Sequence, residues 1–140
     1  MKTNNIMIIL LLIIAIGCQQ VVPNNLVGTY VSNNNVNIDS LKIKKSGTYY
    51  QSIYRRKDSS LVFRHQNKWS ISDDNHLILT EFLLDTGTIF PEKLNRNIIG
   101  NTLITSYLPI KKSVLDSKLI IDSEKNLYYE KVAATDNTDL

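Results

Sequence analysis

A chain of 140 residues holds one domain, and its 43% hydrophobic and 21% charged residues exclude a disordered or fibrous protein. A net charge of only +3, spread along the chain, supplies no basic stripe and argues against nucleic acid as a partner. The single cysteine excludes an intrachain disulfide, so the fold rests on its core, and a domain this size buries roughly two-thirds of its unfolded surface.

The chain opens with Lys2 and polar Thr3-Asn4-Asn5, followed by an apolar run from Ile6 to Gly17 and then Cys18. That is the plan of a secretory signal peptide. The run falls short of the roughly 20 apolar residues that a membrane-spanning helix needs, and Gln19-Gln20 ends it. A buried core helix fits badly, because the stretch is apolar on every face. Ala15-Ile16-Gly17-Cys18 resembles the lipobox of bacterial lipoproteins, with alanine where leucine is usual. The resemblance implies cleavage between Gly17 and Cys18, a diacylglyceryl group on the Cys18 thiol and acylation of the new amine. Each acyl methylene buried in lipid contributes about 0.8 kcal/mol, so two or three chains anchor a domain firmly. An aspartate after the cysteine would imply inner-membrane retention. Gln19 stands there instead, so the resemblance implies the outer membrane, with the domain facing the periplasm. The expected organisation is a signal peptide over 1–17, a lipidated tether over 18–25, a β domain over 26–132 and a flexible tail over 133–140.

Pro23 and Asn24-Asn25 discourage regular structure in the tether. From Leu26 the signals are those of strands. Leu26 to Val31 is β-branched and aromatic, and Asn33-Asn34-Asn35 ends it. Val36 to Lys44 reads as an apolar/polar alternation, a strand with one wet face. Ser46-Gly47 signals a hairpin into Thr48 to Tyr54. A two-residue turn sets Ile43 opposite Tyr50, Leu41 opposite Ser52, Lys44 opposite Tyr49 and Lys42 opposite Gln51; a three-residue turn shifts every partner. Further strands are expected at Leu61–Arg64 and Lys68–Ile71, with a polar break at Gln66-Asn67, and at His76–Leu83 after a turn at Asp73-Asp74-Asn75. The pattern weakens between Asp85 and Asn101, where Glu92 to Arg96 suits a single helical turn. Strands resume at Thr102–Leu108, Lys118–Ile121 and Leu127–Val132, and the last hairpin echoes the first: "LKIKKSGTYYQS" beside "LIIDSEKNLYYEK".

Short, evenly spaced strands with tight turns predict an all-β antiparallel meander, closed as a small barrel or packed as a sandwich. Gly28-Thr29-Tyr30 resembles the Gly-x-Trp opening of lipocalin-like barrels, with tyrosine replacing the tryptophan. Small lipocalin-like lipoproteins share this look, together with Gly47 to Tyr50 and a later tryptophan at Trp69. By that resemblance the domain is a binding module.

No catalytic motif is present, and Cys18 is committed to lipid, so no enzyme activity and no cofactor are expected. His65 and His76 lack metal-ligand spacing, and Leu77 and Leu79 stand where a calcium loop begun at Asp73-Asp74-Asn75 needs oxygens. No metal site is expected. Arg55-Arg56-Lys57 with Arg64 makes a local cationic spot suited to lipid headgroups or an acidic partner, or simply a solvated loop. Asp39-Ser40-Leu41 matches a three-residue pattern of bacterial O-glycosylation, short enough to arise by chance. The tyrosines concentrate in the two echoing hairpins, where alternate members of a barrel strand point inward. Tyr50, Tyr54, Trp69 and Tyr128 are the candidate pocket for a small apolar or amphipathic ligand, with ordinary strand packing as the bland reading. The alternative is a closed β domain that meets an envelope protein through its surface, as partner or inhibitor.

Overall fold

A computed structural model describes residues 23–90, 94, 100, 102–112 and 117–132. The expected signal peptide, Cys18, the tail over 133–140 and all but Leu94 of the expected turn at 92–96 lie outside them. The chain forms a helical turn, α1 (Pro23–Leu26), and eight strands: β1 (Gly28–Ser32), β2 (Asn37–Ile43), β3 (Thr48–Arg55), β4 (Leu61–Ile71), β5 (His76–Phe82), β6 (Ile104–Lys112), β7 (Ser117–Asp122) and β8 (Leu127–Lys131). Each pairs antiparallel with the next, and β8 pairs back onto β1 to close a barrel. This is the up-and-down barrel, the strand order of lipocalin-like folds, rather than a sandwich. Closure leaves no sheet edge. Among the described residues no helix is long and apolar enough to cross a membrane.

The turns fix the registers. Lys44 N–H donates to Thr48 O at 2.9 Å, so the β2–β3 loop holds three residues, with Gly47 left-handed at φ 79°. That is the three-residue hairpin loop, whose last residue must take positive φ. Ser72 and His76 close the β4–β5 loop the same way, with Asn75 at φ 61° in the equivalent place. Asp73-Asp74-Asn75 is thus a turn, as expected.

The third residue in the Gly47 loop corrects the register expected from a two-residue turn. Ile43 opposes Tyr49, Leu41 opposes Gln51 and Lys42 opposes Tyr50. Because side chains alternate with period two, the slip exchanges the inner and outer tyrosines of β3. Burial along β2 alternates with period two, as expected, but the apolar residues change phase at Ser40. Leu41 and Ile43 face inward, and their phase carries Asn37 and Asp39 inside, leaving Val36 exposed and Ile38 half-buried. The slip at Ser40 is the cost of placing a polar layer in the barrel.

Two elements run longer than expected. β4 passes unbroken through Gln66-Asn67: Gln66 is exposed, while half-buried Asn67 shares a face with buried His65 and half-buried Trp69. β6 continues past Leu108 through exposed Pro109, opposite His76 at the start of β5. α1 replaces the last part of the expected irregular tether, since proline at the head of a helix loses no intrahelical hydrogen bond.

Inside the barrel, Tyr30, Leu41, Tyr49, Leu77, Leu79, Phe82, Leu119 and Tyr129 are each 0% exposed, and Leu26 of α1 joins them. Edge-to-face contacts run from Tyr49 to Phe82 and on to Tyr129, with ring centres 6.1 and 6.4 Å apart. Such pairs contribute about 0.5–1.5 kcal/mol each beyond their buried area. Tyr30 donates its hydroxyl to Leu26 O at 3.0 Å, which binds α1 under one end of the barrel, the base. A second cluster of Ile53, Val62, Phe63 and Leu83, joined by Phe90, Leu94 and Leu103, fills the opposite end.

Candidate functional site

A polar layer crosses the barrel between the two clusters. Asp39 of β2 is fully buried and accepts from the Tyr129 hydroxyl and from Gln51 Nε2 at 3.1 Å. The same Gln51 amide group donates to Leu83 O at 2.8 Å, while its Oε1 accepts Leu83 N–H at 3.2 Å. Above it, Asp85 accepts Asn34 Nδ2 at 3.0 Å, Asn37 Nδ2 at 2.8 Å, and the backbone N–H groups of Gly87 and Thr88. Burial, opposed by the hydrogen bonds from Tyr129 and Gln51, pushes the Asp39 carboxyl up to about 7, and the nearby Asp85 adds to the rise. The Tyr129 hydroxyl is driven well above its usual range by the same burial and by Asp39.

This layer explains how the far end is closed. Gln51 grips the backbone just after β5, and Asp85 organises the next turn while holding Asn34 and Asn37, so residues 83–88 are drawn across the barrel mouth. Leu94 N–H continues the seal by donating to Val62 O at 2.8 Å. Asp39 and Tyr129 are 0% exposed, so no substrate atom reaches this pair. Its chemistry is that of a clamp. The phase slip at Ser40 was the sequence signal that could have found Asp39; pairing it with Gln51 needed the three-residue turn.

The predicted pocket residues are not gathered inside. Tyr50 and Tyr54 share the outer face of β3, and Tyr128 stands on the outer face of β8, because their neighbours Tyr49, Ile53 and Tyr129 take the inner positions. Only Trp69 packs against the core, half-buried, with its Nε1–H donated to Lys44 O at 2.9 Å at the base.

The outward tyrosines line two shallow depressions. Tyr50 and Tyr54 border a groove of about 380 Å³ with Lys42 of β2, Ser52 of β3 and Arg64 of β4. Arg64 Nη2 donates to the Tyr54 hydroxyl at 2.9 Å, and Lys44 Nζ lies 4.6 Å from the Tyr50 ring centre. Tyr128 borders a hollow of about 250 Å³ that includes Asp122 and Lys111. Its ring carries Lys118 at 4.0 Å, and that ammonium also pairs with Glu130 at 3.3 Å.

The cationic spot expected at Arg55 to Lys57 is divided. Arg55 pairs with Asp58 at 3.1 Å, Arg56 holds Asn34 O at 2.9 Å, and Arg64 turns to the groove. His65 stacks on Phe63 inside the barrel, while His76 lies 3.1 Å from Asp74 at the base, so the two histidines serve separate places. Asp39 of the Asp39-Ser40-Leu41 pattern is committed to the interior.

Compared with known proteins, the chain matches no family model, no curated protein and no solved structure.

Proposed function

We propose that the protein is a lipid-anchored domain of the bacterial cell envelope that acts through its outer wall, as a binding partner rather than as an enzyme. Cys18 is its acylation point, and the outer membrane, on its periplasmic face, is its place. The lipobox-like pattern supports the anchor. One observation carries the mode of action: among the described residues Tyr30, Leu41, Tyr49, Leu79 and Tyr129 pack the barrel interior at 0% exposure, whereas tyrosines, cations and hydroxyls stand outside. A small-molecule carrier needs a cavity whose lining keeps accessible surface. Strand direction also separates the two ends. α1 and the Gly47 and Asn75 loops share the base, while the β1–β2, β3–β4 and β7–β8 loops share the far end. A tether before α1 therefore leaves the far end and the outer wall presented to the periplasm. Exposed Val36 and Ile89 add apolar contact area at that far end.

Cys18→Ser tests the anchor. The protein is expected in the membrane fraction after a high-salt wash, and the variant is expected to lose acyl labelling and leave that fraction. A variant that stays with the membrane at high salt contradicts the lipoprotein reading.

A further inference from the structure

We propose that the groove between Tyr50, Tyr54, Lys42 and Arg64 binds an acidic oligosaccharide, a chain of sugars bearing carboxylates or phosphates. The proposal rests on the reading that the protein acts through its outer wall, and it names the class of ligand. Three observations on β1–β4 converge. The groove has two cations and, among its lining residues, no carboxylate. Two tyrosine rings flank it, at a distance of four residues along one strand, offering flat apolar surface to the C–H faces of sugar rings. Between them Ser52 faces Ser40 across the β2–β3 pair, and Thr29 extends the row beyond Lys42, so hydroxyls fill the space between rings and charges.

Charge complementarity selects an anion, and the rest selects a sugar. Arg64 is already oriented by the Tyr54 hydroxyl at 2.9 Å, which leaves a planar guanidinium able to take a carboxylate or phosphate in bidentate fashion. Hydroxyls and tyrosine rings recognise the polyol and its apolar face, a combination a bare anion cannot use. An extended peptide has no edge to join, because every strand of the closed barrel is paired on both sides. A nucleic acid needs a longer cationic track than Lys42 and Arg64 supply.

The depression beside Tyr128 is the internal control. It has the same tyrosine–lysine stack, but Lys118 is paired with Glu130, and the hollow is lined by one cation, Lys111, and one carboxylate, Asp122, so it lacks the net positive charge of the groove.

Calorimetric titration of the full chain, purified in detergent, tests the assignment with hexameric oligogalacturonate as the acidic probe and cellohexaose as its neutral counterpart. Polyglutamate of similar charge is the third titrant. Binding of the oligogalacturonate at least tenfold tighter than of either other titrant is expected. Arg64→Ala, Lys42→Ala and Tyr50→Ala are each expected to weaken it at least fivefold, and Tyr128→Ala to leave it unchanged. Circular dichroism of each variant confirms the fold. No binding of the acidic sugar, equal binding of polyglutamate, or binding insensitive to Tyr50→Ala overturns the proposal. Failure of the underlying reading shows elsewhere, as a small apolar molecule held inside the barrel of the extracted protein and released only on unfolding.

Discussion

Tyr49-Tyr50 and Tyr128-Tyr129 are the same doublet in two hairpins with inside and outside reversed. In the first, Tyr49 enters the core and Tyr50 faces out; in the second, Tyr128 faces out and Tyr129 enters. The inner pair work as fasteners. Tyr49 donates its hydroxyl to Thr80 O at 2.7 Å, across the bulge in β5, and Tyr129 donates to Asp39. The outer pair carry lysines reaching diagonally across their hairpins. One residue type therefore serves as core and as surface platform, and turn length decides which.

Removing side chains breaks the comparison most sharply. Tyr49→Ala or Tyr129→Ala is expected to cost about 3–5 kcal/mol, as for other large aromatic side chains cut from a core. Tyr50→Ala and Tyr128→Ala should stay within about 1 kcal/mol, since neither ring is in the barrel interior. Urea unfolding measures all four.

A pH series separates the two tyrosines next. The Asp39 carboxyl is raised from 3.8 to about 7 in the fold, chiefly by burial. Its contribution to stability is thus complete below about pH 3.8 and declines until pH passes about 7, where the folded state must also ionise it. Between pH 5 and 8 that loss amounts to roughly 2–3 kcal/mol. Asp39→Asn should flatten this part of the profile, so the variant gains on the parent as pH rises. A parallel pair of profiles contradicts the assignment. Tyr129→Phe removes a donor from Asp39 and is expected to cost about 1–3 kcal/mol, with the decline still beginning near pH 3.8 but extending to higher pH. Tyr128→Phe should change neither.

The smallest effect lies at the turn that sets the parity. Gly47 is left-handed at φ 79°, with nothing within 4 Å of an added Cβ, so Gly47→Ala strains only the backbone. A loss of about 1 kcal/mol is expected, against almost none for an alanine at exposed Ser46 in the same loop.

How much of this could be read from the sequence follows from the same particulars. Leu41 and Ile43 marked the inner face of β2, and the short, evenly spaced strands and their turns marked a meander, because short-range alternation and turn chemistry are written locally. Whether it closed was not local, since the β1–β8 pairing joins residues about 100 positions apart. Ser46-Gly47 announced a turn but not its length, and that one residue sent Tyr50 and Tyr54 outside. Asp39 stayed hidden because a carboxyl reads as solvent-facing until its partners Gln51 and Tyr129 are brought to it by two other strands. The groove was hidden for the same reason. Lys42, Tyr50 and Arg64 become neighbours only once β2, β3 and β4 are in register.

Native mass spectrometry of the protein extracted from the envelope tests the central claim most directly, that the barrel is filled by its own side chains and acts from outside. The account predicts the mass of the chain with its N-terminal lipid, and any additional bound species lost in the double variant Lys42→Ala/Arg64→Ala. A small apolar molecule that stays bound to that variant, and is released only on unfolding, would contradict it.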